Sequence, residues 1–279
     1  MDGLMEVMVA AEKKAATNAK AEAGDYVKDG LLYCGKCHTP KQHRGNFLGA
    51  EKIVPCICKC KKAELDAEVK RRQWEKQQER IKKQRKAGFP ESDMQSWTFA
   101  ADDGANPKVM QAMRSYVDNF QKFKEQGKGL LLHGGLGTGK TYAAACIVNA
   151  LIDTGRACLM TNFARVLNTL WSIEDKQGYL DSLNQFDLLV LDDLGAERRS
   201  EYAQEQVFNV IDSRYRAKLP LIITTNLTMQ ELTAPNNIGN GRIYDRVLEM
   251  CHPVEVNGKS RRRQKVANEF KKMNELLGL

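Results

Sequence analysis

"KGLLLHGGLGTGKTYAAACIVNALIDTG", residues 128–155, decides the fold. An apolar run leads into a glycine-rich loop. An apolar segment without Gly or Pro then runs on to Gly155. That is strand, loop and helix, with Gly155 as the stop. Within it, "GGLGTGKT" fits G-x-x-x-x-G-K-[ST] from Gly134 to Gly139, followed by Lys140 and Thr141. Gly134, Gly135, Leu136, Gly137, Thr138 and Gly139 present backbone N–H groups that wrap phosphates. The helix start at Lys140, Thr141 and Tyr142 adds the positive end of its dipole. A lysine here reaches the β- and γ-phosphates of ATP, and the threonine hydroxyl ligates Mg²⁺.

Three more strands follow downstream. "RACLMTNF" (156–163), "FDLLVLDDLG" (186–195) and "LPLIITTN" (219–226) alternate with helical patterns, among them 201–217. The alternation predicts a parallel α/β sheet, and the third run is apolar throughout, as a buried parallel strand should be. Asp192 ends that strand on the edge where the loop lies, placed to hold the Mg²⁺ shell. Asp193 follows, either to polarise an attacking water or to serve as a cap or turn residue. Thr224, Thr225 and Asn226 put polar groups at the same edge. Asn226 either orients the water and the γ-phosphate or closes an Asx turn.

Composition narrows the class. The 279 residues suffice for one ordinary domain and a smaller module, and 42% hydrophobic residues can fill a core. The net charge of +8 is unevenly placed: residues 59–86 hold 12 basic and 5 acidic side chains, and residues 259–272 hold 7 and 1. Concentrated positive charge suggests a polyanion, nucleic acid first, against the plain alternative of a solvated helix face. The longest apolar run, "AAACIVNALI" (143–152), is too short for a membrane span of about 20 residues. The start, "MDGLMEVMVAAEKK", lacks the basic, then apolar, pattern of a secretory signal. The expectation is a cytoplasmic protein without a membrane partner, whose eight cysteines stay reduced.

"LYCGKCHTP" (32–40) then admits three chemistries: c-type haem, a redox pair, or half a zinc site. Haem attachment belongs to exported chains, and a thioredoxin-like pair should open a helix. Cys56, Cys58 and Cys60 in "PCICKC" complete C-x₂-C-x₁₈-C-x-C-x-C, near a zinc-ribbon spacing but with a departing second half. Zn²⁺ takes four ligands in a tetrahedron. Cys34 and Cys37 are the firm pair. Cys58 and Cys60 are favoured over Cys56, which follows Pro55, and His38 and His43 are also at hand. Zinc would fold a segment too small to hold a core. Cys146, Cys158 and Cys251 read as buried core residues, and His133 and His252 as structural. Phe163 and Trp171 read as core packing more than base stacking.

The chain is expected to divide into a zinc module (1–60), a basic helical linker (61–95) and an ATPase domain (96–279). Residues 1–23 are rich in Ala, Lys and Glu, either a helix or a frayed end. Residues 61–87 carry strong helix formers without Gly or Pro, ending at Gly88 and Pro90.

The order Walker A, "LLVLDDLGAE", "IITTNL" and "GRIYDR" resembles the AAA+ ATPases of the DnaC/DnaI helicase-loader family, which stand close to the IstB transposition ATPases. The resemblance spans residues 96–265. It implies a P-loop AAA+ fold without a full lid domain, since 53 residues follow Asn226 (279 − 226). By resemblance, Asn226 is similar to sensor 1, Arg246 to the arginine finger acting in trans, with Arg242 one turn earlier as the competitor, and Arg262 to the sensor 2 arginine, flanked by Arg261 and Arg263. The catalytic set so implied is Lys140, Asp192, Asp193, Asn226 and Arg246. Many AAA+ proteins carry Asp-Glu where this chain has Asp192-Asp193, which implies slow intrinsic turnover. The implied activity is ATP-dependent loading of a replicative DNA helicase, with single-stranded DNA and self-association as further partners. An IstB-like transposition helper and a nucleotide-clamped adaptor without turnover are the alternatives.

Overall fold

Short extended runs separated by tight turns build the first part of the chain. In the computed structural model, which describes residues 21–47, 50–89, 91–196, 200–235 and 237–278, strand β1 (Tyr26–Lys28) pairs antiparallel with β2 (Leu31–Tyr33). Asp29 and Gly30 join them at φ of 52° and 72°, the two-residue Asp-Gly hairpin whose turn twists with the strands. A second antiparallel pair follows, β3 (Gln42–Phe47) with β4 (Ala50–Pro55). Helix α1 (Lys59–Ala87) begins at the end of the cysteine cluster. Strong helix formers carry it for 29 residues, and Ile81 is its one buried side chain. The helix expected within 1–23 lies outside the described residues for 1–20, as does Pro90.

The chain divides into two units, Met1–Gln78 and Glu79–Leu279, with the division inside α1. The basic helix therefore belongs in part to each unit.

In the second unit, α2 (Pro107–Asp118) and α3 (Phe120–Glu125) precede β5 (Gly129–His133). Then come α4 (Lys140–Asp153), β6 (Cys158–Asn162), α5 (Phe163–Ser172), α6 (Lys176–Leu183), β7 (Leu188–Leu194) and α7 (Glu201–Arg216). The unit continues through β8 (Leu221–Thr225), α8 (Met229–Thr233), α9 (Ile238–Met250), β9 (Cys251–Glu255) and α10 (Arg261–Leu277). The five strands form one parallel sheet in the order β6-β7-β8-β5-β9. Both faces are covered, so successive residues of one strand enter different cores. Leu130 and Leu132 of β5 pack with α2 and α4, while Leu131 packs with α5, α7 and α9. Loops leaving the carboxyl ends of β5, β7 and β8 thereby converge on one edge, where ligands of such sheets bind.

The parallel α/β fold is thus present as expected. After the sheet the described residues hold α10 and no helical bundle. Cys146, Cys158 and Cys251 are buried in the core, and burial pushes all three thiols up. Phe163 is buried too. Trp171 is not: it is 75% exposed, because α5 turns its Phe163, Val166 and Leu170 stripe inward and carries the next position outward. Among the described residues no helix is long and apolar enough to cross a membrane.

Candidate functional site

β5 delivers the chain to Gly134, and α4 takes it away at Lys140. The glycines between are required by geometry. Gly137 and Gly139 have φ of 77° and 104°, and a Cβ on Gly137 would stand 2.3 Å from the Ser260 hydroxyl. Arg261 N–H donates to the Gly137 carbonyl at 3.0 Å, so the start of α10 rests on the phosphate loop. Lys140 is buried and folded back: its ammonium donates to the carbonyls of Gly134 (2.9 Å) and Gly135 (2.8 Å) and to Asn226 Oδ1 (2.8 Å). Burial holds its pKa below the usual lysine range, partly offset by the charges of Asp193 and Asp192.

The carboxylates stand opposite. Asp192 accepts from the Thr141 hydroxyl at 3.0 and 3.2 Å, and also from the Thr224 hydroxyl. Burial raises its pKa, and the neighbouring Asp193 charge adds to this. The β7–β8 ladder shifts register between Leu191 and Leu194. This bulge puts Asp193 into the left-handed region, at φ 60°, and leaves it exposed at the strand end. Its N–H donates to Thr224 Oγ1 at 3.0 Å. One buried threonine therefore holds both acids. Asn226 forms no Asx turn; the turn after β8 is closed by Thr225, whose hydroxyl accepts from Leu227 N–H at 3.1 Å.

These groups line one cavity of about 560 Å³. Leu136, Gly137, Gly139, Lys140, Thr141 and Tyr142 form its floor, with Asp192, Asp193 and Asn226 at one side and Arg261 and Arg262 at another. Met94, Trp97 and Met160 close the apolar end. Sequence reasoning missed this end, which no motif announces. Its signal was Asn149, the one strongly polar residue in the apolar run 143–152. Asn149 is buried and donates to the carbonyls of Met94 (2.9 Å) and Trp97 (2.8 Å), tying that segment to α4. Tyr142 donates to Thr98 O at 3.0 Å, with its ring 5.8 Å from that of Trp97. Arg262 lines the cavity but is exposed. Arg261 is more firmly placed, paired with Asp103 at 2.9 Å and lying 5.7 Å from the Tyr142 ring centre. Gly134, Gly135 and Thr138 are in the loop but do not line the cavity; Thr138 Oγ1 donates to Gly135 O at 3.0 Å.

Arg246 is engaged within its own chain. It pairs with Asp212 (3.4 Å) and Glu249 (3.0 Å) and lies 4.1 Å over the Tyr215 ring. Arg242 is exposed and has no ion pair among the described residues. Elsewhere on the unit, Trp171 meets Tyr202 edge-on at 5.0 Å, and the Lys176 ammonium lies 5.2 Å over the Tyr202 ring.

A second centre lies in the first unit. The sulfurs of Cys34, Cys37, Cys58 and Cys60 are all within 4.8 Å of one another, with Cys34 to Cys60 at 3.5 Å and Cys58 to Cys60 at 3.4 Å. A tetrahedron with Zn–S bonds of about 2.3 Å puts sulfurs about 3.8 Å apart, so the donor set fits Zn²⁺. Cys56 is outside, its thiol donating to Pro40 O at 3.4 Å, and neither His38 nor His43 joins the cluster. Backbone amides of Cys37 and Lys36 hold the Cys34 thiol low, and the Thr39 hydroxyl brings Cys37 to about 5. Hydrogen bonds to the Cys58 and Cys34 sulfurs hold the Cys60 proton and push its thiol up to about 12.

A family model described as IstB-like ATP binding protein matches residues 60–268. The chain is similar to the replicative helicase loader DnaI of Bacillus subtilis, 26% identical over 201 residues, covering 67% of this chain and 65% of DnaI. It is also similar to the replicative helicase loader DnaC of Escherichia coli, 29% identical over 139 residues, covering 48% of this chain and 54% of DnaC. It therefore aligns with less than two thirds of either loader's length. A crystal structure of DnaI superimposes with a TM-score of 0.52 at 27% identity, covering 64% of this chain and 98% of that one.

Proposed function

Because the chain belongs to the IstB-like ATP binding protein family, we propose that it is an ATP-hydrolysing loader of a replicative DNA helicase. The observation that carries this reading is the union of a nucleotide pocket with a separate four-thiol module. The family match begins at residue 60, so the module is an addition to the common ATPase. In this reading Cys34, Cys37, Cys58 and Cys60 hold Zn²⁺, which would order a segment without a core of its own, and that segment grips the helicase.

In the pocket, Lys140 gives up Asn226 and the loop carbonyls to meet the phosphates of ATP, and Asn226 is freed to contact the γ-phosphate. Thr141 and Asp192 are the residues that would hold Mg²⁺, which neutralises phosphate charge when bound. Asp193, held forward by the bulge, orients water. Its side chain is one methylene shorter than a glutamate, which supports slow turnover without partners. The start of α10 touches the loop through Gly137, so Arg261 and Arg262 report on nucleotide. Self-association would bring a guanidinium from another copy. Arg246 would have to give up two carboxylates for that role, and Arg242 would not. The exposed Trp171, with Tyr202 and Lys176, suits single-stranded DNA.

The family description itself favours a second reading, a transposition helper of the IstB type acting on duplex DNA. Co-elution with the replicative helicase of the same host, with ATP and under light scattering, separates the two. The loader reading expects a large complex with the intact chain and none with Cys34→Ser, Cys37→Ser. No complex with any nucleotide would overturn it.

A further inference from the structure

We propose that α1 carries a binding face for single-stranded nucleic acid, distinct from the nucleotide-binding unit and independent of the loader reading. Residues 70–80 of this helix are exposed on every side, so packing does not explain their identities. At about 100° per residue, Glu64, Glu68 and Glu75 fall within about 40° of one another. Each takes a basic partner from its flank: Lys61 at 3.2 Å, Arg72 at 2.6 Å and Arg71 at 3.8 Å. Those six charges cancel on one side. Lys59, Lys62, Lys70 and Lys76 have no ion pair among the described residues. They occupy an arc of about 120° centred about 160° from the acidic strip.

A solvated spacer needs no such sorting, since its charges gain most when paired all round. The free face also carries Gln73 and Gln77, one acid (Asp66), and at its rim Trp74, 62% exposed. Four unpaired ammonium groups spread over about 26 Å of helix match a line of phosphates better than a compact acidic patch. The exposed indole beside Lys70 selects the strand type, since an unpaired base can stack on it and a base within a duplex cannot.

The test uses the full chain without nucleotide, labelled oligo(dT), and a duplex of the same length, both read by anisotropy across a salt series. Lys62→Gln, Lys70→Gln, Lys76→Gln keeps helix propensity, which circular dichroism verifies. The salt slope on oligo(dT) is expected to fall by about 2, from about 0.7 per phosphate released. Trp74→Ala is expected to weaken oligo(dT) binding roughly 5- to 150-fold and to leave duplex binding within about twofold. Independently, in a Trp97→Phe, Trp171→Phe background, Trp74 emission should quench on oligo(dT). ATP turnover should be unchanged in all α1 variants. An unchanged slope with no quench overturns the proposal, above all if polyglutamate binds instead. Equal losses on oligo(dT) and duplex from Trp74→Ala overturn the single-strand assignment.

Discussion

Thr224→Val isolates the contact that organises the acidic side of the pocket. The change keeps the shape of a fully buried side chain and deletes a hydroxyl that donates to Asp192 and accepts from the Asp193 N–H. A hydrogen bond to a carboxylate contributes about 1.5–3 kcal/mol, and an orphaned partly buried N–H costs about 1–3 kcal/mol. A combined loss of about 3 kcal/mol lowers the melting midpoint of a unit this size by roughly 6–12 °C. The Thr224 bond is also one of the influences that lower the Asp192 pKa against its burial. Losing it moves that pKa further up, so the acid limb of ATP turnover shifts to higher pH. Turnover itself should fall about 10- to 100-fold, as expected for about 1.4–2.8 kcal/mol of lost transition-state stabilisation. Thr224→Ser keeps the hydroxyl and should stay within about 1 kcal/mol of the parent. Scanning calorimetry with a coupled ATPase assay reads both effects. A valine variant that melts within about 2 °C of the parent and turns over normally would refute the reasoning.

Other perturbations test the remaining parts. Asp193→Asn tolerates the left-handed backbone, so the fold and nucleotide affinity should survive while turnover drops about 100-fold or more; undiminished turnover would remove Asp193 from the water-orienting role, and a parent chain with no turnover to lose would point to an adaptor. Metal analysis of the purified chain should find one zinc per chain, unchanged in Cys56→Ser and lost in Cys58→Ser. Asp25 should also contribute to an acid transition of the first unit. The Lys41 ammonium, with the Glu22 and Gly35 amides, holds its carboxyl at about 2, against 3.8 in an unfolded chain. A depressed carboxyl stabilises above the unfolded value, and that contribution drains away as pH falls from about 4 to 2. Hydrogen exchange at residues 25–41 should therefore accelerate across that window in the parent and stay flat there in Asp25→Asn.

How far the residues spoke for themselves depended on the range of the interaction. The phosphate loop was legible because its requirements are local: the left-handed backbone at Gly137 and Gly139 favours glycine. The parallel sheet was legible because a strand buried on both faces must be apolar along its length, as Leu188–Leu191 is. The preference for Cys58 and Cys60 over Cys56 rested on Pro55 beside Cys56, and the structure gathers the sulfurs of the later pair with Cys34 and Cys37 while Cys56 turns to the Pro40 carbonyl.

Other features depended on chain segments meeting across long separations. That Arg261 sits more firmly against the loop than Arg262 follows from Asp103 and Tyr142, distant in sequence. The seat of Arg246 depends on Asp212 and Tyr215 of another helix. Trp171 faced outward against expectation because the stripe of α5 ended one position earlier. The bulge that advances Asp193 exists only through pairing with β8, and the apolar end of the cavity only because Asn149 captures two carbonyls from the short 3₁₀ turn at Asp93–Ser96 and the residue that ends it. The sequence alone determined the class of fold and the phosphate loop and put forward the four thiols that the structure gathers, since backbone conformation and the spacing within each short cysteine pair are written within a few consecutive residues. The tertiary structure decided which acids, arginines and aromatics share the pocket, because register and packing bring together residues that no local pattern links.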